Sequence, residues 1–253
     1  MAATVFYLDP LPDIGATAVL DGPEGRHAAT VRRTRAGERL TLSDGRGALA
    51  DSVVTAVGKD RLELLVEART QVAAPRPAVT LVQALPKSDR AELAVELATE
   101  AGVDAIVPWQ ALRCVSRWDG PKAGKGVAKW RAAARSAARQ SRRAHIPAVH
   151  ELHDTGAVLD LVTRAAARGA IVAALHESAD VRLPELPVSD VSDIVLIVGP
   201  EGGLDDGELA RLAAAGARPV LLGPTVLRTS TAAAVALGAL GALTPRWSAK
   251  PPQ

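Results

Sequence analysis

Two glycine-bearing stretches hold the residues best suited to chemistry: Gly199-Pro200-Glu201-Gly202-Gly203, and Leu222-Gly223-Pro224-Thr225-Val226-Leu227-Arg228-Thr229-Ser230-Thr231-Ala232. Glycine lets a backbone approach a ligand closely, or it serves a turn that needs positive φ. Each stretch follows an apolar run and leads into a segment of helical character. Both are therefore strand-end loops, the position at which open α/β sheets bind ligands. Two such loops can wall one pocket between them. A different chemistry is suggested between Arg113 and Arg143, where ten Lys or Arg stand against one acid, Asp119, a local charge of +9. By difference from the net charge of +2, the rest of the chain carries −7. A basic block in an otherwise acidic chain has the form of a phosphate-binding face, the competing reading being a solvated Ala-rich helix with a flexible Lys/Gly loop. Arg131, Arg135, Arg139 and Arg143 recur every fourth residue. On a helix that spacing predicts one continuous basic stripe, and Arg32 and Arg33 offer a second positive patch.

Other motifs carry less. Gly45-x-Gly47 lies in a hairpin turn and opens no helix, which argues against a dinucleotide fingerprint. Gly124-Lys125 has no following Ser or Thr, so Gly120 to Gly126 is read as a flexible basic loop and not as a Walker loop. His150-x-x-His153 sits in an irregular pattern, and no metal site is expected there. Cys114 is the only cysteine, which excludes an intrachain disulfide and a cysteine-built metal site and fits a reducing cytoplasm. Aromatic residues make up 2% of the chain, too few for a surface that stacks successive bases, so nucleic-acid contact, if any, must be mostly electrostatic. No apolar run approaches the roughly 18 residues of a membrane span, and Met1 to Pro12 lacks the pattern of a signal peptide. The expectation is a cytoplasmic protein with no membrane anchor.

The elements that must position these residues divide into two kinds. Residues 1 to about 70 read as β-rich, with strands over Glu38 to Ser43, Leu49 to Val57 and Arg61 to Ala68 separated by Asp44-Gly45-Arg46-Gly47 and Gly58-Lys59-Asp60. His27 to Arg35 is a short helix or turn, and Thr70 to Pro77 a linker. From Ala78 strands alternate with helices, the mark of a parallel sheet. Strands are predicted at Val79 to Leu85, Ala105 to Pro108, Ile146 to Val149, Ala170 to Leu175, Ile194 to Val198 and Pro219 to Leu222. Asp89 with Glu92 caps a helix ending at Gly102, and Asp205 with Glu208 caps one ending at Gly216. Further helices are predicted over Val127 to Ala144, Ala157 to Arg168 and Thr229 to Leu243. Two domains follow, a β-rich one over residues 1–72 and an α/β one over 73–247.

Gly-Pro-Glu-Gly-Gly followed by Leu-Gly-x-x-x-Leu-Arg-Thr-x-Thr-Ala resembles the SPOUT superfamily, and within it the family that methylates N3 of a uridine in bacterial small-subunit (16S) ribosomal RNA. Further matches are Lys87, Glu100-Ala101-Gly102-Val103 leading to Ile106-Val107-Pro108, Arg113, and Lys129-Trp130 through Gln140 and Arg143 to Ile146-Pro147. His27 with Val31-Arg32 and Gly37 is similar to the family's PUA-like N-terminal domain. Ser230 stands where an acidic residue is usual, and Arg142 where glycine is common. The resemblance implies a trefoil-knotted α/β domain behind a small PUA-like β-barrel, a homodimer, and S-adenosylmethionine as cofactor. It places cofactor contacts at Leu175, Val198, Gly199, Pro200, Glu201, Gly203, Leu222, Gly223, Leu227, Arg228, Thr229 and Ala232. RNA contacts fall on Arg32, Arg33, Lys87, Arg113, Arg131, Arg135, Arg139, Gln140 and Arg143. Arg228 is the candidate cation beside a deprotonated uracil ring. Glu201 is either the proton acceptor or, as favoured here, a residue that shapes the loop. The substrate would be small-subunit ribosomal RNA, naked or in the assembled subunit. Alternatives are a SPOUT enzyme acting on a ribose 2′-hydroxyl or another base, and a non-catalytic RNA-binding ribosome-assembly protein.

Overall fold

The structure is a computed structural model that describes residues 4–87 and 90–248. Among them the chain forms two compact units, one of residues up to Ala74 with Ala138–Ile146, the other of Pro75–Ala137 with the chain from Pro147 onward.

The first unit is a five-stranded sheet in the order β1-β3-β4-β5-β2. Its strands are β1 (Val5–Tyr7), β2 (Thr17–Leu20), β3 (Arg39–Ser43), β4 (Ala48–Gly58) and β5 (Arg61–Gln71). The three long strands are the three predicted, and their alternation explains them: in β5, Leu62, Leu64 and Val66 are buried while Arg61, Leu65 and Glu67 are exposed. β1 and β2 are too short to show a period-two pattern. Helix α1 (Gly22–Arg26) begins earlier than predicted, with Pro23 in its first turn, and runs into a π-helical turn over His27–Val31. β5 continues through Thr70 and Gln71, and the Val72 N–H donates to Gly47 O, so the first three residues of the predicted linker are held in this unit.

Residues 138–146 belong to this unit through several hydrogen bonds. The Tyr7 hydroxyl donates to Arg143 O at 2.8 Å and the Ser43 hydroxyl to Ala144 O at 3.1 Å. The Ile146 N–H donates to Gly45 O at 2.9 Å.

The second unit is a six-stranded parallel sheet in the order β11-β9-β10-β6-β7-β8. Its elements are β6 (Ala78–Ala84), α2 (Ala91–Glu100), β7 (Ala105–Trp109), α3 (Pro121–Gln140), β8 (Ala148–Val149), α4 (Thr155–Ala167), β9 (Ile171–Leu175), β10 (Asp193–Val198), α5 (Asp206–Ala214), β11 (Arg218–Val220) and α6 (Thr229–Leu243). Ile194 to Val198 is buried throughout, as an internal strand of a sheet covered on both faces must be. Val198 pairs with Gln83 and with Leu175, and Leu175 with Val220. Four strand ends therefore reach one edge, from which both glycine loops emerge.

Three predicted details change. Helix α3 starts at Pro121, not Val127, so the predicted flexible loop at Gly120 to Gly126 is mostly helix. Gly126 is needed there because a Cβ would lie 2.6 Å from the Trp118 ring. The same helix ends at Gln140, so Arg143 lies beyond it and the predicted four-arginine stripe is broken. Asp205 caps α5 by accepting from the Gly207 N–H at 3.0 Å, but Glu208 turns away from the cap. Its Oε1 accepts from the Leu112 N–H at 2.9 Å and the Thr155 hydroxyl at 2.7 Å. Asp89, the other predicted cap, lies outside the described residues.

Candidate active site

The two loops converge on one cleft of about 660 Å³ at the carboxyl edge of the second unit's sheet. All twelve residues expected to contact cofactor line it: Leu175 from the end of β9, Val198, Gly199, Pro200, Glu201 and Gly203 after β10, and Leu222, Gly223, Leu227, Arg228, Thr229 and Ala232 between β11 and α6. Sequence reasoning missed His176, Glu177, Leu204 and Leu221, which also line it, as do Gly202, Pro224, Thr225 and Val226 of the two quoted motifs. His176 and Glu177 directly follow β9, and the strand-end rule that selected the other loops points to them as well. The His176 Nδ1 accepts from the Ser178 N–H at 3.2 Å, which fixes the ring.

The first loop is shaped by its own residues. Gly199 packs on Leu204 so closely that a Cβ would meet its Cγ and Cδ2 at 3.0 Å. Gly203 has φ +72°, a conformation that favours glycine, and its N–H donates to Pro200 O at 2.9 Å. Glu201 is exposed, and its Oε1 accepts from the Lys87 N–H at 3.1 Å, fastening this loop to the turn after β6.

In the second loop Arg228 is the residue before α6. Its carbonyl accepts from the N–H groups of Thr231 and Ala232 at 2.9 and 3.0 Å and from the Thr231 hydroxyl at 3.1 Å. Its backbone is therefore fixed. Among the described residues its guanidinium has no hydrogen-bond or ion-pair partner, so it is available to something in the cleft.

Comparison with known proteins gives this arrangement a family. The RNA methyltransferase domain profile matches residues 73–241 and the RNA methyltransferase PUA domain profile residues 20–67. The chain is 57% identical over 249 residues to ribosomal RNA small subunit methyltransferase E of Mycobacterium bovis, covering 98% of this chain and 95% of the relative. The chain belongs to the ribosomal RNA small subunit methyltransferase E family. The Bacillus subtilis methyltransferase E is 32% identical, with 88% of this chain and 89% of the relative covered. The crystal structure of methyltransferase E from Neisseria gonorrhoeae bound to S-adenosyl methionine superposes with a TM-score of 0.86 at 28% identity, over 96% of this chain and 98% of that one. The fold is accordingly the SPOUT-type α/β methyltransferase domain with a PUA-like domain before it.

In this chain the residues expected to meet RNA fall in both units. In the second unit, Arg131 is committed to Val149 O at 3.1 Å and to Glu151 Oε1 at 2.7 Å, and Arg113 to the first glycine loop. Lys87 and Arg135 are exposed. In the first unit, Arg139 pairs with Glu24 at 3.1 Å, with side-chain exposures of 19% and 10%. Arg32 lies 4.0 Å from Glu38, Arg33 and Gln140 are exposed, and Arg143 is half-buried. Among the described residues Arg113, Arg131 and Arg139 of the block are thus paired with Asp205, Glu151 and Glu24, acids that lie outside it. Among the described residues no group of three or more His, Cys, Asp or Glu is placed to hold a metal ion, and no helix is long and apolar enough to cross a membrane. His150, beside His153, is pushed down mainly by burial and further by His153 and Arg131, and the His153 Nδ1 lies 2.9 Å from Glu151 O.

Proposed function

We propose that this chain methylates N3 of a uridine in small-subunit (16S) ribosomal RNA, using S-adenosylmethionine held in the cleft, as a cytoplasmic homodimer. The observation that carries the reading is the convergence of both glycine loops on one cleft that Arg228, whose guanidinium has no partner among the described residues, also lines. The cleft fits the cofactor: its volume lies in the range of small-molecule sites. Leu175, Leu222, Leu227 and Ala232 supply apolar walls, and the glycine segments bring backbone polar groups close. Membership of the family supports ribosomal RNA as the acceptor, and the resemblance selects N3.

When bound, S-adenosylmethionine supplies a methyl group already activated by its sulfonium, so the protein's work is positioning and charge stabilisation. The acceptor is the harder part. Uracil N3 carries a weakly acidic proton, which passes to water or a base, and its loss leaves an anion spread over the ring. Arg228 offers a planar fork of donors to that charge. Glu201 accepts the Lys87 N–H and so holds two loops together, which supports its structural role over that of a base. For RNA, the reading places contacts on Lys87 and Arg135 in the second unit and on Arg32, Arg33, Gln140 and Arg143 in the first.

The homodimer is supported by apolar side chains left in water: Val235 and Leu243 of α6, Trp247 just after it, and Leu93 of α2, on which α6 packs. Such a set is what a second copy would cover. The test is calorimetric titration with S-adenosylmethionine combined with sedimentation at micromolar concentration. Saturable binding to a dimer is expected. A monomer removes the dimer from the reading, and failure to bind favours a non-catalytic RNA-binding protein.

A further inference from the structure

The turn after β7 reaches the glycine loop through one side chain. The Arg113 Nη1 donates to Leu204 O at 3.2 Å and, more weakly, to Gly202 O at 3.4 Å, and Nη2 donates to Asp205 Oδ2 at 3.1 Å. The two carbonyls flank Gly203, the loop residue with φ +72°. The peptide joining Gly202 to Gly203 is therefore held at both ends, its carbonyl by Arg113 and its N–H by Pro200 O. Asp205 is also the cap of α5, so a single guanidinium grips the loop and the start of the helix that follows it.

The turn carrying Arg113 is itself anchored to that helix. Glu208, in the first turn of α5 and 4% exposed, accepts the N–H of Leu112, the residue next to Arg113. Arginine suits this position because a planar fork can serve several acceptors at once, which a lysine ammonium cannot do in the same geometry. Reaching for a phosphate would release two main-chain carbonyls and a carboxylate together.

We propose that Arg113 is a positioning residue for the cofactor loop and not an RNA contact: it sets the path of Gly202 to Asp205 and thereby the shape of the cleft wall. The proposal rests on the reading that this cleft holds S-adenosylmethionine.

The test is calorimetric titration of full-length wild-type, Arg113→Ala, Arg113→Lys and Asp205→Asn proteins with S-adenosylmethionine. Melting of each ligand-free protein and salt-dependent binding to a small-subunit RNA fragment are followed in parallel. Arg113→Ala should raise the cofactor Kd tenfold or more, and Arg113→Lys should recover part of the loss. Asp205→Asn, which keeps an N-cap side chain, should give a smaller rise. RNA affinity and its salt slope should not move. If Arg113→Ala does not fold, the Lys and Asn variants decide the matter by the same shift. A wild-type protein that binds no cofactor overturns the cofactor reading and this proposal with it. Wild-type binding with an unchanged Kd in the variants overturns the proposal alone. In that case a salt slope shallower by about one marks Arg113 as a phosphate contact, and a lowered melting temperature alone marks it as structural.

Discussion

Arg228 is held by its backbone and, among the described residues, has no partner for its guanidinium, the arrangement of a side chain that meets charge arriving from outside. If it stabilises the deprotonated ring, Arg228→Ala should lower kcat by roughly 10²-fold, the scale of removing one oxyanion-type donor. Arg228→Lys should restore only part of that rate. Single-turnover kinetics with saturating RNA checks this, since normal turnover with weakened RNA affinity would reduce Arg228 to a binding contact. Arg228 and the glycines around it were legible in the sequence because composition and strand-end position mark them without long-range information. Arg113 and Glu208 were not. Their partners lie about 50 to 100 residues away in sequence, and no local pattern separates an arginine that grips carbonyls from one that awaits a phosphate.

Helix ends show a similar limit. α2, α4 and α5 each end on a glycine with positive φ, at Gly102, Gly169 and Gly216. In each case the following N–H reaches back to close a Schellman motif. α3 ends the same way, with the Arg143 N–H donating to Ala138 O at 2.8 Å and the Arg142 N–H to Arg139 O at 3.1 Å. Here the left-handed residue is Arg142, at φ +55°. This explains why glycine is common at that position in the family. A left-handed L-residue costs about 1–2 kcal/mol, of which roughly 0.4–1 kcal/mol is offset by the lower freedom of a non-glycine unfolded chain. Arg142→Gly should therefore stabilise the protein by about 0.5–1 kcal/mol, seen as a higher urea midpoint at unchanged m. A midpoint that falls would mean the Arg142 side chain contributes more than its backbone strain removes. The end of α3 could not be placed from sequence because no glycine or proline marks it.

At the scale of the whole chain, the basic block looked like one continuous face because charge was counted locally. The fold brings Glu24, Glu151 and Asp205 to Arg139, Arg131 and Arg113, and residues 138–146 fold with the N-terminal unit. The arginines of α3 should thus separate by experiment. Arg135→Glu, at an exposed position of α3, should weaken RNA binding and flatten its salt dependence. Arg139→Glu, which sets two carboxylates together in a mostly buried pair, should cost about 3 kcal/mol or more in urea unfolding. An Arg139→Glu protein as stable as the wild type would contradict this account of the pair. The fold class was readable because periodicity is local, whereas the grouping of residues 138–146 with the N-terminal unit rests on hydrogen bonds between residues more than 100 apart in sequence. The chemistry at N3 rests on kinship together with the geometry around Arg228, so the decisive measurement concerns the product. Small-subunit ribosomal RNA from cells lacking the gene is incubated, naked and as the assembled subunit, with purified protein and S-adenosylmethionine, then digested to nucleosides and analysed by mass spectrometry. The account predicts a single new methyl on N3 of one uridine, absent when the Arg228→Ala protein is used at the same short reaction time. A methyl on ribose or on a ring carbon, or no transfer to either form of the RNA, would contradict it.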